Sequence, residues 1–358
     1  MSATPPLGLR FGLMAFGVVA MVAGLTGGLW RLGWDIPHVE RLAELHGALL
    51  ICGLFGTVIS LERAVAFATW PAYAAPMLAA LGTVLLLAGG PILAGVVAYV
   101  LASLVLTGVT AVIATRQRAL FTATLTLGAA CWTVGTVLWG FGQSVPEVVG
   151  WWLGFLVLTI AGERLELSRL LAPRRGSAVS FAVIVAVFLS GAYLGPFDAI
   201  GAPVLGATFV ALCLWLVRHD VVRITIKRPG QTGFMAMCMA LGYLWLGLAG
   251  LMLVVAPPTV AAFGYDAMLH AILIGFVLSM VFGHALIILP AVARVRLVYH
   301  PALYGPLALL HASVALRVVG DLCLWPDVRM WSGPLTLAAL IGFIATLIWA
   351  RRGAHAFF

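Results

Sequence analysis

Apolar stretches about twenty residues long follow one another along almost the whole chain, separated by short polar turns. This succession limits the fold more than any other feature. A helix that is apolar all round cannot cover a water-facing surface, so most of the solvent around this chain must be lipid. A bilayer core of ~30 Å takes about 20 apolar residues per helical crossing. The runs that meet that length are 11–30, 45–67, 72–90, 92–114, 120–140, 149–172, 178–195, 202–217, 233–256, 264–290, 302–322 and 333–350. The expected fold is therefore an all-α polytopic membrane protein of about twelve transmembrane helices. It is read as one transmembrane domain over 1–358, because the spans leave no room for a soluble domain. Only 9% of the 358 residues are charged, against roughly 25% in an ordinary soluble domain.

The net charge of +8 is explained by where the basic residues fall. On the side of the amino terminus lie Arg10, Arg63, Arg116, Arg118, Arg164, Arg169, Arg174, Arg175, Arg218, Arg223, Lys227, Arg228, Arg294, Arg296, Arg351 and Arg352. The other side carries Arg31, Arg41 and Arg329, and Arg317 lies inside a span, which completes the twenty. Basic residues in short loops stay in the cytoplasm, so both termini are expected there. The bias is a topology signal rather than a footprint for nucleic acid, and the partner expected is the lipid bilayer. The first span is longer than a signal-peptide apolar region and has no clear cleavage site, so it is read as a retained helix. Cys52, Cys131, Cys213, Cys238 and Cys323 are odd in number and scattered through or beside spans, which argues against a disulfide framework.

A short repeat runs through the second, sixth and tenth spans. Gly53 is followed nine residues later by Glu62, Gly154 by Glu163, and Gly275 by His284. The interval of four helices suggests three arcs of four with pseudo-threefold symmetry. Against this, glycine-rich apolar helices align easily by chance.

Ionisable groups within a membrane are costly and are functional candidates for that reason. His46 opens the second span and His270 lies early in the tenth, both near the outer side. Two imidazoles at one depth on neighbouring helices could ligate a haem iron axially. Arg317, Arg31 and Arg41 are candidate partners for the propionates. The plainer alternative makes His46 an interfacial cap and pairs Arg317 with Asp321 one turn later. Nearer the cytoplasm, His284, His311, Glu62 and Glu163 could bind a hard or borderline metal, or pass protons. His284 follows His270 by fourteen residues, which on a regular α-helix puts both on one face. The glutamates, each followed by an arginine, could equally snorkel to the headgroups. His38, His219, His300 and His355 fall in loops or tails and receive no role. The chain has no phosphate-binding Gly-x-x-x-x-Gly-Lys-Ser/Thr loop, no His-Glu-x-x-His and no Cys-x-x-Cys.

His46-Gly47 with Gly53, Leu269-His270-Ala271 with Ile274-Gly275, and Arg317-Val318 together resemble the NnrS family of bacterial membrane proteins. That family lies within the wider set of proteins like subunit I of the haem–copper oxidases. The resemblance implies haem b, with copper as a further metal, and a place in respiration or the nitric-oxide response beside a redox partner it does not identify. It also implies the bacterial cytoplasmic membrane. The second span reads Leu-His-Gly-Ala where the family carries Trp-His-x-His-Glu, and Gly-His-Thr-Gly-Arg is absent after His284. The span 178–195 has no histidine, so an oxidase-type dioxygen-reducing centre cannot be assembled. The expectation is an accessory haem-binding protein. Its competitor is a secondary transporter or metal-handling permease using an intramembrane Glu/His cluster.

Overall fold

In a computed structural model of the chain, residues 5–169 and 175–355 are described. Arg174 and the end of the span 149–172 lie outside them. All regular structure among the described residues is helical. Twelve helices are long and apolar enough to cross a membrane: α1 (Leu7–Arg31), α2 (Glu40–Phe67), α3 (Trp70–Leu87), α4 (Ile92–Arg116), α5 (Leu120–Gly140), α6 (Val145–Ser168), α7 (Ser177–Leu194), α8 (Gly201–His219), α9 (Gly230–Val255), α10 (Gly264–Ala293), α11 (Pro301–Leu322) and α12 (Pro326–Arg352). The chain is a multi-pass membrane protein. It forms two compact units, Met1–Glu163 and Arg164–Phe358, whose boundary falls inside α6.

The two largest differences between expected and observed helix starts, at α2 and α12, have identifiable reasons. α2 begins at Glu40 rather than near 45. Its polar first turn carries Arg41, whose Nε and Nη2 donate to the carbonyls of Leu86 (3.2 Å) and Gly90 (2.7 Å) at the end of α3. Those carbonyls lack intrahelical donors, so the arginine caps a neighbouring helix from within a turn that looks like loop. α12 starts at Pro326 instead of 333. Proline suits a first helical turn because its missing N–H would have no partner there. Pro334 then sits inside the helix.

In the unit Met1–Glu163, α1 reaches α2 through small residues. A Cβ on Gly27 would collide with the Leu42 carbonyl, and one on Gly28 would overlap the His46 ring. Lipid tails are as apolar as leucine, so helices in a membrane associate through close van der Waals contact, and glycine permits it. Farther along, α6 stacks Phe155 on Trp132 of α5 with ring centroids 5.0 Å apart. In the unit Arg164–Phe358, α8 and α9 cross where Gly206 and Gly250 meet, each too close to the other's carbonyl for a side chain. Phe282 of α10 stacks on Phe343 of α12 at 4.0 Å.

α2 and α10 share a departure from α-geometry. Leu49–Phe55 and Ala271–Leu278 are wound as π-helix. Shifting α2 so that Gly53 falls on Gly275 brings Leu49–Phe55 onto 271–277, within the second π segment. Both glycines are packed without spare room: a Cβ on Gly53 would meet Ala20, Thr83 and Tyr99, and one on Gly275 the Trp245 indole. Two members of the repeat thus share a local backbone form that chance alignment of glycines does not supply. The third, α6, is α-helical throughout. The wide turns also correct one expectation. His270 and His284 were placed on one face by assuming regular α-helix, but the π segment lies between them. Each π turn holds about one more residue than an α turn, so the phase between them shifts by roughly 100°.

Gly53→Val and Gly275→Val should each lower stability by about 1–3 kcal/mol through overpacking. Gly108 has nothing within 4 Å of a Cβ, so Gly108→Ala should be neutral or slightly stabilising. Thermal unfolding in detergent checks this, and equal midpoints for all three variants would remove the close-packing account.

Candidate functional site

His46 rises from the second turn of α2, and its Nδ1 donates to the carbonyl of Gly24 on α1 at 2.6 Å. The ring lies over Gly28, so the glycines of α1 both admit the imidazole and fix its orientation. In the other unit, His270 directs Nδ1 to the Asp266 carbonyl at 2.9 Å and to Asp266 Oδ1 at 3.3 Å. With the proton held at Nδ1, the ring lone pair of each residue is at Nε2. In each helix the π segment follows within three residues, beginning at Leu49 and at Ala271. Single π turns within α-helices are frequently found at functional sites.

Asp266 is also the hub of a charged network at one end of α10, α11 and α12. Its Oδ2 accepts from Arg317 Nε at 2.6 Å and stands 2.6 Å from Arg317 Nη2. Arg329 Nη2 approaches the same oxygen at 3.4 Å. Arg329 Nε donates to Asp321 Oδ1 at 2.6 Å, and Arg317 Nε lies 3.3 Å from Asp321 Oδ2. Arg317 and Asp321 are buried, at 6% and 1% exposure. Two carboxylates answer two guanidiniums, so the site carries no net charge with His270 neutral. That balance makes the burial of Arg317 and Asp321 tolerable. Gly320 lies so near the backbone of Arg329 that a Cβ would clash, which brings α12 close enough for Arg329 to reach Asp321.

The expected propionate partners are therefore already engaged. Arg317 is held by Asp266 and Asp321, which includes the pairing with Asp321 expected from the i, i+4 spacing. Arg41 caps α3, and Arg31 Nη1 donates to the Ala43 carbonyl at 3.4 Å.

Of the expected metal residues, the two glutamates share one arginine and the two histidines each hold hydrogen bonds of their own. Glu163 accepts from Arg63 Nη2 at 2.5 Å, and Glu62 lies 3.6 Å from the same nitrogen. His311 is locked by hydrogen bonds on both ring nitrogens. Trp245 Nε1 donates to Nδ1 at 2.9 Å, which puts the ring proton on Nε2 facing Ser279 Oγ at 3.3 Å. Ser279 Oγ in turn donates to the Cys238 carbonyl at 2.6 Å. His284 Nδ1 donates one turn back to the Met280 carbonyl at 2.7 Å. Among the described residues no three His, Cys, Asp or Glu side chains form a group that could hold a metal ion.

Reading the sequence overlooked a second buried charge pair. Arg164, counted above with the loop arginines, is 1% exposed, as is Asp220. Arg164 Nε stands 3.9 Å from Asp220 Oδ2, and Nη1 donates to the Met239 sulfur. Tyr243 Oη donates to Asp220 Oδ2 at 2.7 Å, and the Val222 N–H to Oδ1 at 2.8 Å. Asp266 and Arg329 were overlooked as well. For Asp266 a signal existed: it precedes His270 by four residues on one helix, the spacing that was noticed for Arg317 and Asp321.

A family model matches residues 10–352, and the family is described as a domain of unknown function, DUF8744. The chain belongs to this family. Comparison with curated proteins found no match, and neither did comparison with solved structures. The network of Asp266, His270, Arg317, Asp321 and Arg329 lies inside the part of the chain that the family model covers.

Arg317→Met should cost about 3–5 kcal/mol, because it leaves Asp321 buried with half of its partners. Arg169→Ala, which removes a surface pair with Glu166, should change stability by less than about 1 kcal/mol. Thermal unfolding in detergent compares the two, and an Arg317→Met variant as stable as the parent would contradict the network's structural weight.

Proposed function

We propose that this is an accessory membrane protein that binds haem b, with His46 and His270 as ligands of the iron. The observation that carries the reading is the hydrogen bond from Nδ1 of each ring to a backbone carbonyl. Ligating histidines characteristically donate their other N–H in this way, which fixes the tautomer, orients the ring and raises the basicity of Nε2. The resemblance to NnrS-like proteins rests on the same two residues. The two histidines are the residues that would hold the iron, and a haem so held would supply one-electron transfer. The protein's own part would be to orient each imidazole through its Nδ1 hydrogen bond. His270 differs from His46 in having the Asp266 carboxylate behind it, so its nitrogen is the more electron-rich of the two. Arg317, proposed as a partner for a propionate, also holds Asp266 in place behind His270.

The setting we propose is respiration or the nitric-oxide response, in a bacterial cytoplasmic membrane with both termini in the cytoplasm. The charge bias of the loops supports that orientation. A second reading, a secondary transporter, is favoured by the buried ion pairs at Asp266 and Asp321, since paired intramembrane charges also mark ion pathways.

An absorption spectrum separates the two. The purified protein should show a b-type spectrum that His46→Ala or His270→Ala abolishes, with membrane insertion unchanged because the apolar spans drive it. His300→Ala should alter neither, since His300 caps the turn before α11 by accepting from the Ala302 N–H. A colourless preparation from haem-replete cells, or full haem content in the alanine variants, removes the haem reading. For orientation, reporter fusions at Phe358 and beside Asp198 should mark opposite sides of the membrane. If both mark one side, the span count is wrong by an odd number.

A further inference from the structure

We infer that a groove between the ends of α10 and α12 binds an anionic glycerophospholipid, with its phosphate on Arg351 and Arg352. The groove has a volume of about 470 Å³, and its lining includes Leu289, Leu297, Ile344, Leu347, Arg351 and Arg352. On α12 the residues Ile344, Leu347, Ile348, Arg351 and Arg352 recur at the spacing of a single helical face. That face is aliphatic for about one turn and then ends in two adjacent guanidiniums. From Ile344 to Arg352 the rise is about 12 Å, which fits within the ~15 Å of one leaflet's hydrocarbon.

The opposite wall comes from the end of α10. Arg294 adopts a left-handed conformation (φ 53°) that stops the helix and leads into a segment without regular structure. Leu289 before that turn and Leu297 after it both face the groove. Arg294 and Arg296, in the same segment, add positive charge beside it.

The order of groups along the groove specifies the occupant. A free anion would meet two exposed arginines and otherwise only aliphatic surface. A neutral lipid would fill the aliphatic part and leave both guanidiniums without a counter-charge. A phospholipid with a net negative headgroup satisfies both, its acyl chain along Ile344 and Leu347 and its phosphate accepting from the arginines. Basic pockets between membrane helices bind acidic headgroups in this manner, and guanidinium matches phosphate in geometry as well as charge. The inference is independent of haem binding.

The test uses the full chain in detergent and native mass spectrometry, with phosphatidylglycerol and phosphatidylcholine as probes. The parent protein should retain phosphatidylglycerol about tenfold more tightly than phosphatidylcholine. Arg351→Gln with Arg352→Gln should reduce that preference to near unity. Ile344→Trp, which fills the groove and leaves both arginines, should lower retention of both lipids. Arg169→Gln, an exposed arginine elsewhere, should leave the preference intact. The inference is overturned by an absent preference in the parent or by one that survives loss of both arginines. It is equally overturned if Arg169→Gln lowers the preference as much, which would make it a generic surface effect. Displacement of phosphatidylglycerol by millimolar inorganic phosphate would also overturn it, because the site would then read a free anion.

Discussion

In hydrocarbon every backbone N–H and C=O must be bonded within the protein, and the structure depends throughout on that constraint. It makes helix the only open-ended solution and gives each span the length of the bilayer. It also governs the helix ends, where carbonyls without intrahelical partners must be met by something other than water. Arg41 shows how: its side chain leaves the first turn of α2 to cap α3. A residue that looks like part of a polar loop is recruited into a helix by the needs of another helix.

The same solvent removes the usual force that drives helices together. Burying leucine against leucine gains little when the alternative is a lipid tail, so contact has to be close and shaped. Glycine supplies the closeness between α1 and α2 and again between α8 and α9, and in the first case it also seats His46. Charges supply specificity at a cost that only mutual pairing offsets. In the unit Arg164–Phe358 the pairing is arranged so that each carboxylate meets guanidiniums from two places. Asp266 engages Arg317 and Arg329, and Asp321 engages the same two. A network of this kind couples three helices at one end, because no single helix can move without uncovering a charge held by the others.

The fold was legible because hydropathy acts over the whole length of a span and needs no knowledge of neighbours. All twelve helices appear where apolar runs of sufficient length occur. Errors fell where a distant partner decides the outcome. The start of α2 depends on the end of α3, and the burial of Arg164 depends on Asp220, more than fifty residues away in sequence. Within the site, the Arg317–Asp321 pair was readable because helical spacing brings i and i+4 together. Asp266 reaches Arg317 only through the packing of α10 on α11, which no local pattern announces. His311 was read as a possible ligand because its residue type and depth suit one. Its two hydrogen bonds come from Trp245 and Ser279, on two other helices, and they commit the ring to the packing.

The π segments are the part of the site least accessible to sequence, and they bear most on what the site can do. Winding with one residue more per turn gives up regular i→i−4 bonding, so it persists only where packing on both sides favours it. Gly53 and Gly275 are what the two segments have in common, each lying where a neighbouring side chain occupies the place of a Cβ. A regular α-helix through the same residues would rotate everything beyond the segment by roughly 100°. His46 and His270 precede the segments, and Glu62 and His284 follow them. The π turns therefore enter the angle between the outer and inner polar groups of each helix, but sixteen residues separate His46 from Glu62 and fourteen separate His270 from His284, so the two angles differ. What recurs in α2 and α10 is the packed glycine, the wide turn around it and an ionisable group nine residues after the glycine. The histidines stand outside that repeat, three residues before the wide turn in α2 and one before it in α10, so their placement answers to the neighbours of each helix and not to the repeat.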